Sequence, residues 1–305
     1  MPDTLERGII PSGKALGAEI VGVDLAKPLT GDIVEFLKTA WRDNLVLLFR
    51  NQVLADEDLL TVAEALGGSQ ATGSRQYFID AGYKTGSARV NRLPGISYIS
   101  NLDDDGKPQE NIREGSGSKK LFWHTDNSYV ENPPKGSLLY SLQVPVNGGG
   151  ETVFANQYDA YDNLPRDLKN HVAGLHVRHD SSRNTSGGVR PTQALPATRD
   201  DITGPVHPLV RVHPETGRKA LYLGRRYASP SSYIVELDDV QSEELLDTLW
   251  ERATVPALRW SHAWQLNEAL LWDNRCTMHS RTVTDPTQPR ELHRTLVKGE
   301  AIIAA

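Results

Sequence analysis

His124 and Asp126, in the run Leu-Phe-Trp-His-Thr-Asp-Asn, put an imidazole and a carboxylate two residues apart. In an extended strand, side chains at i and i+2 leave the same face, so the pair is expected to offer two ligands to one metal ion. Iron(II) oxygenases need two histidines and one carboxylate on one face of the metal, with the opposite positions left open. The pair alone carries little weight. With 9 His and 39 Asp and Glu in 305 residues, composition alone gives about one His-x-Asp/Glu. A second copy exists, His213-Pro-Glu215, but it sits in His-Pro-Glu-Thr-Gly-Arg, where Pro and Gly mark a tight turn. A turn gives i and i+2 no common face, and this copy is set aside as a metal site.

The third ligand has several candidates. His176 and His179 lie three apart and so on opposite faces of a strand. His171, His207, His262 and His293 have no local partner. His279 differs in its downstream neighbours: a turn-rich stretch, then Arg290 and Arg294. An even spacing lets both arginines face inwards from a returning strand, and a guanidinium is a fork that fits a carboxylate. His279 is therefore the favoured third ligand, with Arg290 and Arg294 as anion-binding residues.

These groups must be positioned by regular elements, several of which the pattern predicts. A strand is expected within Ala15–Leu25, a helix over Asp32–Arg42 with Ile33, Phe36, Leu37 and Trp41 on one face, a buried strand over Leu45–Phe49, and a second helix over Asp56–Leu66. The stretch from Gly67 to Lys120 is rich in Gly, Ser, Asn, Asp and Arg. A loop of that length is predicted to act as a lid, with Tyr77, Tyr83 and Tyr98 as candidate pocket aromatics. From Leu121 on, short strands recur over 121–126, 137–144, 152–156, 174–179, 206–213, 219–224, 258–264, 269–274 and 292–298, interrupted by a helix carrying Leu245, Leu246, Leu249 and Trp250. Many short strands between Gly, Pro and Asn turns predict a mainly β chain with flanking helices, folded as an antiparallel sandwich or jelly roll. No repeat or linker divides the chain, and residues 1–305 read as one domain with a lid-like insertion at about 67–120.

Bulk properties bound the function. Hydrophobic residues make up 38% and charged residues 24%, ordinary values for a soluble globular protein. No apolar run approaches the roughly 20 residues that span a bilayer, and Met1–Arg7 offers no apolar core for a secretory signal. Cys276 is the lone cysteine, so a reducing, cytoplasmic setting is expected. A net charge of −6 argues against a nucleic-acid surface.

Taken in order, Gly17-Ala-Glu-Ile-Val-Gly-Val-Asp-Leu-Ala-Lys-Pro-Leu, Leu47-Leu-Phe-Arg-Asn-Gln, Trp123-His-Thr-Asp-Asn-Ser, Gly148-Gly-Gly-Glu-Thr-Val-Phe, His213-Pro-Glu-Thr-Gly-Arg-Lys-Ala-Leu-Tyr, Leu271-Trp-Asp-Asn-Arg-Cys-Thr-Met-His and Pro289-Arg290 to Arg294 resemble the taurine and 2,4-dichlorophenoxyacetate dioxygenase (TauD/TfdA) family along nearly the whole chain. The resemblance implies a double-stranded β-helix (a cupin-like jelly roll) and an enzyme that uses Fe(II), 2-oxoglutarate and O2. It implies iron held by His124, Asp126 and His279, and the distal carboxylate of 2-oxoglutarate held by Thr152 and Arg290. Arg294 is implied near the cosubstrate or an anionic group of the substrate, Trp272 in the pocket wall, and a homodimer or homotetramer as the assembly. The expected reaction is hydroxylation of a small organic substrate with release of succinate and CO2, and cleavage where the oxidised carbon bears O, N or S. Desaturation, epimerisation and cyclisation are the other outcomes this chemistry supports. Two departures stand out: Pro289 precedes Arg290 where the family often has a second arginine, and residues 67–120 hold no histidine. Relatives acting on sulfonates carry a substrate-binding histidine in that region, so an anion other than taurine is expected. Arg75, Lys119 and Lys120 flank the lid and favour an anionic substrate. A zinc hydrolase also uses two histidines and an acid, but it has no use for Thr152 and Arg290. A non-catalytic jelly-roll binding protein has no use for the triad.

Overall fold

The computed structural model describes residues 6–109 and 119–305. Two-residue periodicity sets its layers. All four residues of the strand Val46–Phe49 are buried, but they divide by parity: Leu47 and Phe49 pack with the helices Gly31–Asn44 and Asp56–Leu66, while Val46 and Leu48 face the opposite way. Its neighbour Ala269–Asp273 repeats the split, with Ala269 and Leu271 towards the helices and Leu270 and Trp272 towards the interior. These short apolar runs are buried on both faces, which is why they read as continuous rather than alternating.

The large sheet runs Gly8–Pro11, Ala18–Val21, Val46–Phe49, Ala269–Asp273, Gly136–Gln143 and Glu291–Val297, and is antiparallel except where Ala18–Val21 meets Val46–Phe49. Ser69–Gln70 and Ile96–Ser100 share the outer edge of Glu291–Val297. The smaller sheet runs Arg259–His262, Thr152–Asn156, Thr277–Arg281 and Leu121–His124. Behind it, the helix Asp239–Ala253 buries Leu245, Leu246 and Leu249 with Met278 and the partly buried Trp123. Between the sheets lie Leu139, Leu270, Trp272 and Leu292 of the large sheet and Phe154 of the smaller one. The result is the jelly roll that the strand pattern predicts.

Three expectations shift. The segment from Ala15 to Leu25 contributes only Ala18–Val21, and the partner strand Gly8–Pro11 carries no apolar alternation from which to read it. The strand at 121–126 ends at His124; Asp126 lies in the turn beyond it, where Asn127 adopts φ 49°. The stretch from Gly67 is more regular than a loop: it supplies two edge strands and the helix Arg75–Asp80 before entering residues 110–118, which lie outside the described residues. Among the described residues no helix is long and apolar enough to cross a membrane.

Candidate active site and metal centre

His279 is the direct cross-strand neighbour of both Phe154 and His124. Its inward direction follows from strand parity, because the adjacent Met278 is buried in the core behind the sheet. The rings of His124 and His279 stand 4.0 Å apart, tilted by 49°. Asp126 reaches them from the turn: its Oδ1 lies 3.6 Å from His124 Nε2 and 4.0 Å from His279 Nε2. The expected triad therefore assembles, but through a turn rather than a continuous strand. Two hydrogen bonds between Asn274 and the Asp126 backbone hold that turn, 2.8 Å to the N–H and 2.9 Å to the carbonyl.

The donor atoms are prepared for a cation. His124 Nδ1 donates to the Phe122 carbonyl at 2.7 Å, so the lone pair sits on the inward Nε2. Burial keeps both imidazoles below their ordinary pKa, for His279 reinforced by His124, so neutral ligands are favoured. Burial alone raises the Asp126 carboxyl, but the Arg294 guanidinium and the two histidines outweigh it and hold the carboxyl well below the usual carboxylate range. Ser137 Oγ donates to Asp126 Oδ2 at 2.7 Å, and Arg294 Nη1 lies 2.9 and 3.0 Å from the two oxygens. These contacts fix the carboxylate so that Oδ1 faces the histidines. The ligand atoms lie within 4.8 Å of one another, and two imidazoles plus a carboxylate suit a first-row divalent metal such as Fe(II).

A second cluster, His213, Asp273 and Cys276, is equally tight, but its atoms are already used. His213 Nδ1 accepts the N–H groups of Glu215 and Thr216, so Nε2 is the protonated nitrogen and donates to Asp273 at 3.1 Å. Asp273 is also gripped by Arg275 at 2.6 Å, and Glu215 turns outwards to the same arginine at 2.7 Å. This is a structural ion-pair network at a tight turn, as the Pro and Gly spacing there implies.

Arg290 defines the other end of the cavity. It is 1% exposed, its Nη1 has no partner among the described residues, and its only side-chain hydrogen bond there is a long 3.4 Å one to the Gly150 carbonyl. Burial and the nearby Arg281 push it well below its ordinary pKa, and burial lowers Arg281 to about 10. A buried guanidinium without a counter-ion is costly, and an anion between Arg290 and the triad removes that cost. Gly148, Gly149 and Gly150 all adopt positive φ, and a Cβ on Gly150 would come within 3.0 Å of Arg290 Nε. The triple glycine is thus the bed on which this arginine lies. Asn101 pins its backbone by accepting the Arg290 N–H at 2.8 Å. Thr152 faces the same cavity and its Oγ1 accepts the Trp264 N–H at 2.9 Å, which leaves the hydroxyl proton free to donate into the cavity. Trp272 lines the wall, 4.9 Å from the His279 ring.

The remaining expectations divide. Tyr98 lines the cavity and leans on His293, ring to ring at 4.8 Å. Tyr77 does not line it: on its short helix the next residue, Phe78, takes the inward position, and Tyr77 lies instead 5.5 Å from the Arg190 guanidinium. Tyr83 is 41% exposed and packs edge-on against Phe78. Arg75 lines the cavity while donating to the Asn91 carbonyl at 2.9 Å; Lys119 and Lys120 are exposed. Arg294, which the sequence leaves free for an anion, is spent on Asp126. Sequence reasoning missed Arg190, Arg225 and Arg281, all buried and lining the cavity. Arg281 was findable, two residues beyond His279 on one strand, whereas Arg190 comes from an irregular loop with no periodic signal.

The profile described as "Taurine catabolism dioxygenase TauD, TfdA family" matches residues 9–296, so the chain belongs to the TauD/TfdA family. Similar proteins include an (S)-phenoxypropionate/alpha-ketoglutarate-dioxygenase of Sphingobium herbicidovorans, 32% identical over 96% of this chain and 95% of its own length. A pentalenolactone F synthase of Streptomyces avermitilis is 30% identical over 92% of this chain and 90% of its own. Among solved structures, AAD-2 in complex with Mn(II) and N-oxalylglycine superposes with a TM-score of 0.78 at 29% identity, covering 99% of this chain and 100% of that one. The chain is accordingly a 2-oxoglutarate-dependent oxygenase, and its His-Asp-His site fits the iron that such enzymes use.

Proposed function

We propose that the protein oxidises a C–H bond of a small anionic organic substrate, with His124, Asp126 and His279 holding Fe(II) and Thr152 and Arg290 holding the distal carboxylate of 2-oxoglutarate. The observation that carries this reading is the buried Arg290, whose Nη1 lacks a partner among the described residues, opening into the same cavity as the triad. A zinc hydrolase gives that guanidinium no task. When bound, Fe(II) with 2-oxoglutarate and O2 supplies the oxidising power, and succinate and CO2 are the co-products.

The chain's own groups do the positioning. Arg290 and Thr152 fix one end of the dicarboxylate, so that its other end points at the triad. Ser137 and Arg294 hold Asp126 ionised and correctly turned. Trp272, Leu139 and Ile99 form an apolar wall that keeps water from the reacting carbon. Hydroxylation, with cleavage when the carbon bears a heteroatom, is supported by the phenoxypropionate dioxygenase relative. A biosynthetic desaturation, epimerisation or ring-forming outcome is the second reading, supported by the pentalenolactone F synthase relative. The lone buried Cys276 fits a cytoplasmic setting, and assembly as a homodimer or homotetramer is part of the same reading.

Replacement of His279 by Ala tests the ligand assignment: the folded variant is expected to lose stoichiometric Fe(II) and with it succinate formation. Normal iron content and normal turnover in that variant contradict it.

A further inference from the structure

Resting on the proposed function, the arginines of the cavity can be sorted by what already neutralises them. Arg294 is paired with Asp126. Arg290 is assigned to the cosubstrate, with Arg281 beside it. Two others remain. Arg190 and Arg225 are 4% and 6% exposed, both line the cavity, and neither has an ion pair among the described residues. Both guanidinium carbons lie over one ring, that of Tyr129, at 4.0 and 4.8 Å from its centroid. The Nε atoms of both are buried without a hydrogen-bond partner among the described residues. Arg225 gives one Nη1 bond to the Arg183 carbonyl at 3.0 Å.

Two cations beside one another repel, and two buried ones do so in a medium of low dielectric. A tyrosine face offsets only part of that cost, less than burial demands. Among the described residues the arrangement therefore lacks an anion. The cosubstrate cannot supply it, because one of its ends belongs to the metal and the other to Arg290. The position suits a substrate instead: Arg225 forms an isolated backbone bridge with His124, so the pair stands next to the metal ligands. Arg190 also touches Tyr77 of the helix Arg75–Asp80, which joins this corner to the segment over the cavity.

We propose that Arg190 and Arg225, seated on Tyr129, form the site that binds the carboxylate or sulfate head group of the substrate, and that Arg294 is a positioning residue acting through Asp126. The substrate class is an amphiphilic monoanion. Its head lies on the two guanidinium groups, and its apolar body runs along Phe78, Ile99, Leu139 and Trp272.

The test is calorimetric titration, without O2, of the Fe(II)- and 2-oxoglutarate-loaded protein with 2-phenoxypropionate and its primary amide, and with hexyl sulfate and hexanol. The native protein is expected to prefer at least one acid over its neutral counterpart by tenfold or more, roughly the worth of a charged hydrogen-bonded contact. In Arg190→Ala and Arg225→Ala that preference collapses towards unity. Because the readout is a ratio within one variant, a general loosening of the fold does not imitate it. Arg190→Lys, which keeps the charge but not the fork, restores part of the preference. A preference unchanged in both alanine variants, or lost only in Arg294→Ala, overturns the proposal. So does a native protein that binds neither acid better than its neutral counterpart. A separate titration with 2-oxoglutarate reports on the proposed function itself. If 2-oxoglutarate binds while the head-group preference is absent, the head-group site alone fails. If 2-oxoglutarate does not bind, the cosubstrate reading fails with it.

Discussion

Asp126 shows how one carboxylate is made to serve a metal. Its Oδ2 takes the Ser137 hydroxyl at 2.7 Å while Oδ1 faces His124 and His279. Such outer contacts typically change metal affinity by 10–100-fold, so Ser137→Ala is expected to weaken Fe(II) binding by roughly tenfold with little effect on the melting temperature. Metal titration followed by thermal unfolding separates the two. At the opposite end of the cavity, Arg290→Ala removes the only fork proposed for 2-oxoglutarate. The KM for 2-oxoglutarate should rise by about ten- to a hundredfold, while that of the organic substrate moves little. An equal rise in both would argue that Arg290 is structural. The triad was legible in the sequence through His124 and Asp126 standing two apart and through the arginines that follow His279, although the strand parity that paired His124 with Asp126 does not hold, because Asp126 lies in the turn beyond the strand. The pairing of Arg294 with Asp126 was not, since spacing reveals which face a side chain leaves but not which charge it meets. Arg190 and Arg225 were hidden for a related reason: their meeting point, the Tyr129 ring, is a tertiary contact among three segments far apart in sequence.

The strand Glu291–Val297 carries more of the architecture than its length suggests. It pairs with Gly136–Gln143 on one side and with both Ile96–Ser100 and Ser69–Gln70 on the other. His293 on this strand holds the second helix to the sheet, with Nδ1 2.6 Å from Asp56 and Nε2 3.4 Å from Glu291. Burial lowers the His293 pKa, but the two carboxylates overcome it and raise the group to about 9. A pKa raised above its unfolded value near 6.5 contributes stability that is complete below that value and is lost as pH rises through about 9. The melting temperature of the native protein should therefore fall towards that of Asp56→Asn between about pH 7 and 10, from a gap of roughly 2–4 °C near pH 6. A gap independent of pH would show that His293 is not charged. The edge strand Ile96–Ser100 was invisible in the sequence, because five residues amid Gly, Asn and Asp give no lasting period. The helix Asp56–Leu66, by contrast, was readable end to end from its acidic first turn and regular apolar face.

At the scale of the whole molecule, an acidic chain of net charge −6 surrounds a cavity lined, among the described residues, by seven arginines and a single acid, Asp126. Such a concentration of one sign focuses the field and draws anions inward, so kcat/KM for an anionic substrate should fall as ionic strength rises, while that for a neutral analogue stays flat. The layers around the cavity are tightly joined. Gly136 lies where Trp41 of the first helix crosses the large sheet, and a Cβ there would collide with the indole and come within 3.0 Å of the Trp272 carbonyl. Gly136→Ala is expected to cost about 1–3 kcal/mol by overpacking, seen as a lower denaturant midpoint. The fold class was legible because a jelly roll needs many short strands and these have strong turn signals between them; the order of strands within each sheet was not, since local periodicity says nothing of which strands pair. Succinate formation decides whether this cavity is an iron and 2-oxoglutarate oxygenase site. Protein loaded with Fe(II) is mixed with 2-oxoglutarate and O2 across aryloxyalkanoates, alkyl sulfates, sulfonates and N-substituted acids, beside the same protein loaded with Zn(II). Succinate is expected from the Fe(II) form alone, raised above background by one anionic class. No succinate from protein shown to hold stoichiometric Fe(II) would contradict it.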